Sequence, residues 1–344
     1  MADRASHSVL LLLLCFQLIT TSLCQFPPSD RDLAALIKIR EHFGNPDVFA
    51  GWRPGTTCMS WWPAACNEQG RVTKLFLDNL TIINSTLPPA IGELEMLETL
   101  SIINMPGLHG PIPDTFGNLR HLSIFNIMVT NVSGSIPASL SRTNLTSVNF
   151  FRNKLTGKIP RSLEKLPYLT SFDAAYNDLV GTIPPRLVHG GTPDRPLVLW
   201  VDNNRLSGTI PWPYAFETHM MEFSVANNQL TGDASFLFGR QKTVSGTINL
   251  SGNKLRFNLT GLEMPKQLLF LNLSHNRIYG GVPVSLRESK VAVLDLSYNE
   301  LCGEIPTGGH MVQFKAAAYE HNKCLWDAAA AVREGTTLMG RSCF

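Results

Sequence analysis

The chain is poor in charge. Only 16% of its 344 residues are Asp, Glu, Lys or Arg, and 29 basic residues against 27 acidic ones leave a net charge of +2. No basic block runs along it, so a nucleic-acid partner is not expected. The seven cysteines include no CxxC and the nine histidines no HExxH, which argues against a zinc site. A P-loop, a GxGxxG turn and a GxSxG elbow are also missing. No cofactor and no catalytic centre are therefore expected. Long apolar runs are scarce too. After residue 24 no stretch reaches the ~18 consecutive apolar residues of a membrane span, so no membrane anchor is expected. With 44% apolar residues, the chain can nevertheless bury a core.

The one apolar run lies at the start. Arg4 precedes Val9 to Phe16, the run continues through Leu18 and Ile19, and small residues Thr20, Thr21 and Ser22 follow. That is the layout of a secretory signal peptide over 1–24, too short to span a bilayer of roughly 30 Å. Neither a C-terminal KDEL nor a hydrophobic GPI tail is present. The expectation is a secreted protein of the extracellular space and cell wall. Export permits disulfides and makes N-x-S/T a glycan acceptor. Seven such sites stand at Asn79, Asn84, Asn131, Asn144, Asn249, Asn258 and Asn272.

An internal repeat dominates the rest. Units start at Val72, Leu97, Leu122, Leu145, Leu169, Pro196, Met220, Ser245, Leu268 and Val291, spaced 23 to 27 residues apart. The clearest copies read LTSVNFFRNKLTGKIP, LLFLNLSHNRIYGGVP and VAVLDLSYNELCGEIP. The pattern LxxLxLxxNxLxGxIP is the plant-type leucine-rich repeat. Alternating apolar residues such as Leu271 and Leu273 make a short strand with one buried face. Asn153, Asn177, Asn204, Asn228, Asn253, Asn276 and Asn299 recur at the following turn, where an amide can satisfy backbone groups of a curved chain. Gly157, Gly181 and Gly208 precede Ile-Pro in a second extended segment. One unit cannot bury its own apolar face, so stacked neighbours supply the core. The expected fold is an α/β repeat solenoid, a curved right-handed superhelix of about ten repeats.

The boundaries are read as a signal peptide at 1–24, an N-terminal cap at 25–71, repeats at 72–314, and a C-terminal cap with a divergent tail at 315–344. In the first cap Ser29 can start a helix whose Leu33, Leu36, Ile37 and Arg40 follow helical spacing, with Gly44 ending it. Trp52, Trp61 and Trp62 then gather beside Cys58 and Cys66 as a cover for the first repeat. The stretch GGTPDRP, Gly190 to Pro196, lengthens the fifth repeat as a surface loop.

Some runs point past the fold. LTGDASFLFG, NLSGNKLRFNLT, LNLSHNRIYGGVP, LSYNELCGEIPTGG and HNKCL resemble the plant polygalacturonase-inhibiting proteins, and the helix plus FGNPDVFAGW is similar to that family's N-terminal cap. The resemblance spans roughly Ser29 to Leu325. It implies a cell-wall defence protein that binds a secreted endopolygalacturonase, of fungal or other origin, through its concave strand face. Outward residues of the central strands are then the candidate contacts: Ser147, Asn149, Phe151, Arg152, Ser171, Asp173, Tyr176, Val198, Trp200, Asp202, Asn203, Glu222 and Ser224. Over all ten strands Asp78, Asp173, Asp202, Glu222 and Asp295 outnumber Lys74 and Arg152. An enzyme that grips polyanionic galacturonan should present a basic cleft, which an acidic face suits. Trp200 and Phe151 are the natural apolar anchors. Cell-wall pectin, as a direct partner, would call for a stripe of Lys and Arg that this face does not have. A secreted signalling module binding a peptide or a receptor ectodomain is the alternative function.

The family template pairs Cys24 with Cys58 and Cys302 with Cys324, leaving Cys66 and Cys343 over. A local alternative pairs Cys58 with Cys66. Ten strands at ~4.8 Å hold the two caps roughly 40 Å apart, beyond any Cys66–Cys343 bond. Glycans at Asn249 and Asn272, outward on the eighth and ninth strands, would cover part of the face.

Overall fold

The structure is a computed structural model that describes residues 30–212, 219–239, 242 and 244–326. Its helix α1, Asp30–His42, buries Leu33, Ala35, Leu36 and Ile39 against the first repeat. Acidic Asp30 and Asp32 sit in its first turn and basic Arg40 and His42 in its last, matching the helix dipole. Gly44, at φ 78°, follows in the left-handed conformation that ends many helices. Ser29 lies outside the described residues.

The fully buried Asp32 carboxylate ties α1 to the solenoid. It accepts from Arg71 Nε at 2.9 Å, from a second guanidinium nitrogen at 3.1 Å, and from the Val72 N–H at 2.8 Å. Trp52 and Trp61 are also fully buried, with Trp52 stacked on Phe49 at 4.1 Å and donating to the Trp61 carbonyl at 2.6 Å. Trp62 departs from the expected cluster and is 68% exposed. Its neighbour Trp61 turns into the core beside Trp52, and Trp62 turns outward. The cap disulfide is Cys58–Cys66, the local alternative. This corrects the Cys24–Cys58 pairing, because strand Ala64–Cys66, antiparallel to Val72–Phe76, carries Cys66 back beside Cys58. Cys24 and Cys343 lie outside the described residues. At the other end Cys302 and Cys324 are bonded as the template implied.

Among the described residues, ten parallel strands pair repeat to repeat, from Val72–Phe76 to Val293–Asp295, and form the strand face of the solenoid. A second ladder of short strands runs along the flank, where Gly157, Gly181, Gly208 and Gly232 take positive φ. The returning side uses 3-10 turns such as Pro89–Glu93, Asp114–Asn118 and Ala138–Arg142, each entered from a proline at φ near −65°. The α-helix among the described residues is α1. The core is one continuous stack of Leu, Ile, Val and Phe. Phe116, Phe125, Phe150 and Phe172 meet edge-on at 5.3 to 6.4 Å through its middle, a favoured aromatic geometry.

The recurring asparagine does what its position suggests. Asn204 Nδ2 donates to the carbonyls of Ala174, Val201 and Asp202 at 2.9, 3.1 and 3.0 Å, and its Oδ1 accepts the Leu179 N–H at 2.9 Å. Asn177, Asn228, Asn253, Asn276 and Asn299 repeat this set. So does Asn322, beyond the tenth repeat, which accepts from Leu301 N–H and donates to Leu296, Tyr319 and Glu320. The ladder thus runs one rung into the C-terminal cap.

Candidate functional site: the strand face

Parallel pairing aligns outward residues into columns. Ser147, Ser171, Val198 and Glu222 form one, and Asn149, Asp173, Trp200 and Ser224 the next. Phe151 and Asp202 follow their strands, and Arg152, Tyr176 and Asn203 lie one residue further on. All thirteen candidate contacts therefore belong to the same side of the sheet, although they are not equally accessible. Asp173 is 4% and Ser224 5% exposed. Both flank Trp200 in the register and offer little surface to a partner. They are recessed, not part of an outer contact layer.

Three carboxylates define the centre. Asp202 Oδ1 accepts the Ser224 hydroxyl at 2.6 Å and the Ala226 N–H at 2.5 Å. Asp173 Oδ1 accepts the Ala175 N–H at 2.9 Å. The Trp200 indole N–H donates to Glu222. Burial pushes the Asp173 carboxyl up to about 6, resisted by the Ala175 hydrogen bond and reinforced by the charge of Asp202. Burial also raises Asp202 and Glu222, against the hydrogen bonds from Ser224 and Ala226 and from Trp200 respectively. Desolvation disfavours the charged form of an acid, so this patch becomes less negative as the medium turns acid. Beside it Arg152 lies 5.8 and 5.7 Å from the rings of Phe151 and Tyr176, which themselves meet edge-on at 5.5 Å. The centre of the face is acid and aromatic with one cation at its edge.

Where each strand turns toward the flank, the chain takes a left-handed residue. Asn79, Asn104, Val129, Arg152, Tyr176, Asn203, Asn227, Gly252, His275, Tyr298 and His321 all have φ between 51° and 64°. Their side chains make a rim along one edge of the face. His275, Tyr298 and His321 stack there at 4.1 and 4.2 Å, with interplanar angles of 11° and 21°. The candidate list, which ends at Ser224, omits this group. Its signal is an aromatic or imidazole residue immediately before the ladder asparagine in SHN, SYN and EHN.

The sequons divide by place. Asn79, Asn84, Asn144 and Asn258 are exposed. Asn131 Nδ2 donates to the Pro106 carbonyl at 2.6 Å. Asn249 and Asn272 are half-buried on the strand face, each with Oδ1 accepting a serine hydroxyl, from Ser251 and Ser274, at 2.8 Å. Among the described residues no His, Cys, Asp and Glu cluster could hold a metal ion, and no helix is long and apolar enough to cross a membrane.

The family model for the Leucine Rich Repeat matches residues 144–166. The chain is 36% identical over 324 residues to polygalacturonase inhibitor 1 of Arabidopsis thaliana, covering 93% of this chain and 97% of that one. The chain belongs to the polygalacturonase-inhibitor family. Another member, the polygalacturonase inhibitor of Pyrus communis, is 37% identical, with 86% and 89% covered. Among solved structures, a plant ice-binding protein superposes with a TM-score of 0.75 at 30% identity, covering 88% of this chain and 97% of that one. The same scaffold is thus found in a protein named for a different role, so the fold alone does not specify an activity.

Proposed function

We propose that this protein is an extracellular inhibitor of pectin-degrading endopolygalacturonases. It covers the enzyme's cleft with its strand face and forms no covalent bond. The observation that carries this reading is the acid and aromatic centre around Trp200, Asp202 and Glu222, on a chain 36% identical to a polygalacturonase inhibitor over nearly its whole length. A cleft built for a polyanion is basic, and an acidic patch both steers its approach and selects it. Trp200 supplies a large, half-buried apolar surface of the kind that dominates interface energies. Its bond to Glu222 holds the indole in place before the partner arrives, which lowers the ordering cost. The expected N-terminal signal peptide and the two disulfides fit an exported protein.

The test is a titration of the glycosylated protein into a panel of fungal endopolygalacturonases, following release of reducing ends from polygalacturonate. Saturable inhibition is expected, with Trp200→Ala weakening it at least ~10-fold, a change of about 1.4 kcal/mol. A folded protein that inhibits none of a broad panel would discard this function in favour of a signalling partner.

A further inference from the structure

The three-ring stack on the rim is open at one end. Tyr298 lies between His275 and His321 and is covered on both faces. His275 is covered by Tyr298 on one face, and on the other side the next rung belongs to Gly252, which has no side chain. The backbone continues at the same spacing: the Gly252 N–H reaches the Ser274 carbonyl at 3.0 Å, as the His275 N–H reaches that of Ser297 at 3.1 Å. Gly252 also shares the left-handed conformation, at φ 64°. The far side of this rung is closed by Asn227. Its Oδ1 lies against the place a Cβ at 252 would take, and its Nδ2 donates to Asn203 Oδ1 at 3.1 Å.

We infer that the rung at Gly252 receives an aromatic side chain of the bound enzyme, a tyrosine or a tryptophan, stacked on His275. The existing stack shows what the column accepts, since a phenol already sits between two imidazoles at 4.1 and 4.2 Å. A ring at Gly252 would give His275 the same two-sided cover, with the Asn227 amide, whose Oδ1 lies against the place of a Cβ at 252, moved aside. An aromatic ring suits the imidazole in either charge state, stacking on the neutral form and attracting the cation with its π face. Neither a lysine ammonium nor an aliphatic side chain has a plane to stack on the imidazole. This inference rests on the inhibitor reading, requires Asn249 and Asn272 to carry no glycan, and extends the interface from the acid centre to repeats 8 and 9.

The experiment fills or removes the rung. Gly252→Asn puts a side chain into it, and asparagine already holds the same left-handed conformation at 203 and 227. The amide of Asn227, at the end of a flexible side chain, can swing aside, and its Cα, 3.2 Å from a Cβ at 252, must give by a few tenths of an ångström. His275→Ala removes the platform, and His275→Tyr keeps a ring. Against an endopolygalacturonase that the unaltered protein inhibits, Gly252→Asn and His275→Ala should each weaken inhibition about 10-fold. His275→Tyr should stay within about twofold of the unaltered protein, as a ring-for-ring exchange. Undiminished inhibition by both Gly252→Asn and His275→Ala would overturn the inference and leave the inhibitor reading standing. A protein that inhibits no enzyme would sink that reading instead. The rung is then judged by NMR titration with N-acetyltyrosinamide. An upfield shift of the His275 ring protons that Gly252→Asn abolishes is expected, and its absence would overturn the inference.

Discussion

The first three repeats and the seven that follow solve one problem in two ways. In repeats 4 to 10 an asparagine ends each strand, and its amide satisfies three carbonyls that would otherwise be orphaned where the chain turns. The same position holds Leu80, Met105 and Thr130 in repeats 1 to 3. There the second and third strands do not break: they run through the turn as Thr99–Gly110 and Ile124–Ser135, paired from Thr99↔Ile124 to Met105↔Thr130. Strand-to-strand hydrogen bonds replace the side-chain ladder. The asparagine is thus one answer to backbone satisfaction in a curved solenoid, and a continuous strand is another. The candidate contacts and the aromatic rim all fall in the laddered region, where the strands are short.

The largest expected effect breaks the ladder. Asn204→Ala removes three donated bonds and one accepted bond at an 8% exposed residue. Leaving buried carbonyls without a donor should cost about 4 kcal/mol, read as a lower denaturant midpoint. Alanine in place of Met105 would leave a cavity but orphan no polar group at that turn, so the two variants would separate the mechanisms. If Asn204→Ala melted like the unaltered protein, the ladder would be ornament and the comparison would collapse.

This contrast marks how far the sequence can be read. The repeat period, the strand face and the ladder follow from apolar spacing and the regular asparagine, because each depends on residues within one unit. The unbroken strands do not, since Leu80, Met105 and Thr130 simply look like failures of the pattern. Nor does the burial of Asp173, whose register neighbour Trp200 is 27 residues away and adjacent only after stacking. The rim was hidden because Val129, β-branched and at φ 54°, is a residue that local propensity would never place in a left-handed turn. The Cys58–Cys66 pairing was one of two open alternatives until the first antiparallel strand placed Cys66.

A smaller effect sharpens the contrast through pH. Asp173 and Asp202, the acids raised by burial on this face along with Glu222, lie in the laddered region. Asp173 moves from 3.8 to about 6 on folding, so between those values the folded chain holds the extra proton. Stability then falls as pH rises through that window and is level above it. A shift of that size corresponds to as much as ~3 kcal/mol. Hydrogen exchange at pH 4.5 and pH 7 should show repeats 5 to 7 more protected at the lower pH, with repeats 1 to 3 unchanged. Asp173→Asn should abolish the difference. Equal protection at both values would mean the recessed carboxyl is solvated in solution.

The smallest effect lies at the junction of the two regions. Asn153 differs from the later asparagines: its Oδ1 accepts the Thr130 hydroxyl instead of a backbone N–H. Thr130 Oγ1 in turn accepts the Val132 N–H at 3.2 Å. The threonine relays a donor from the unbroken strand into the first rung of the ladder. Thr130→Val preserves shape and removes both bonds, which should cost about 1 kcal/mol and loosen the Val132 amide in hydrogen exchange while Asn204 and its neighbours stay protected. A loss spread along all seven rungs would show instead that the ladder is nucleated from this threonine, and that the two regions form one cooperative unit.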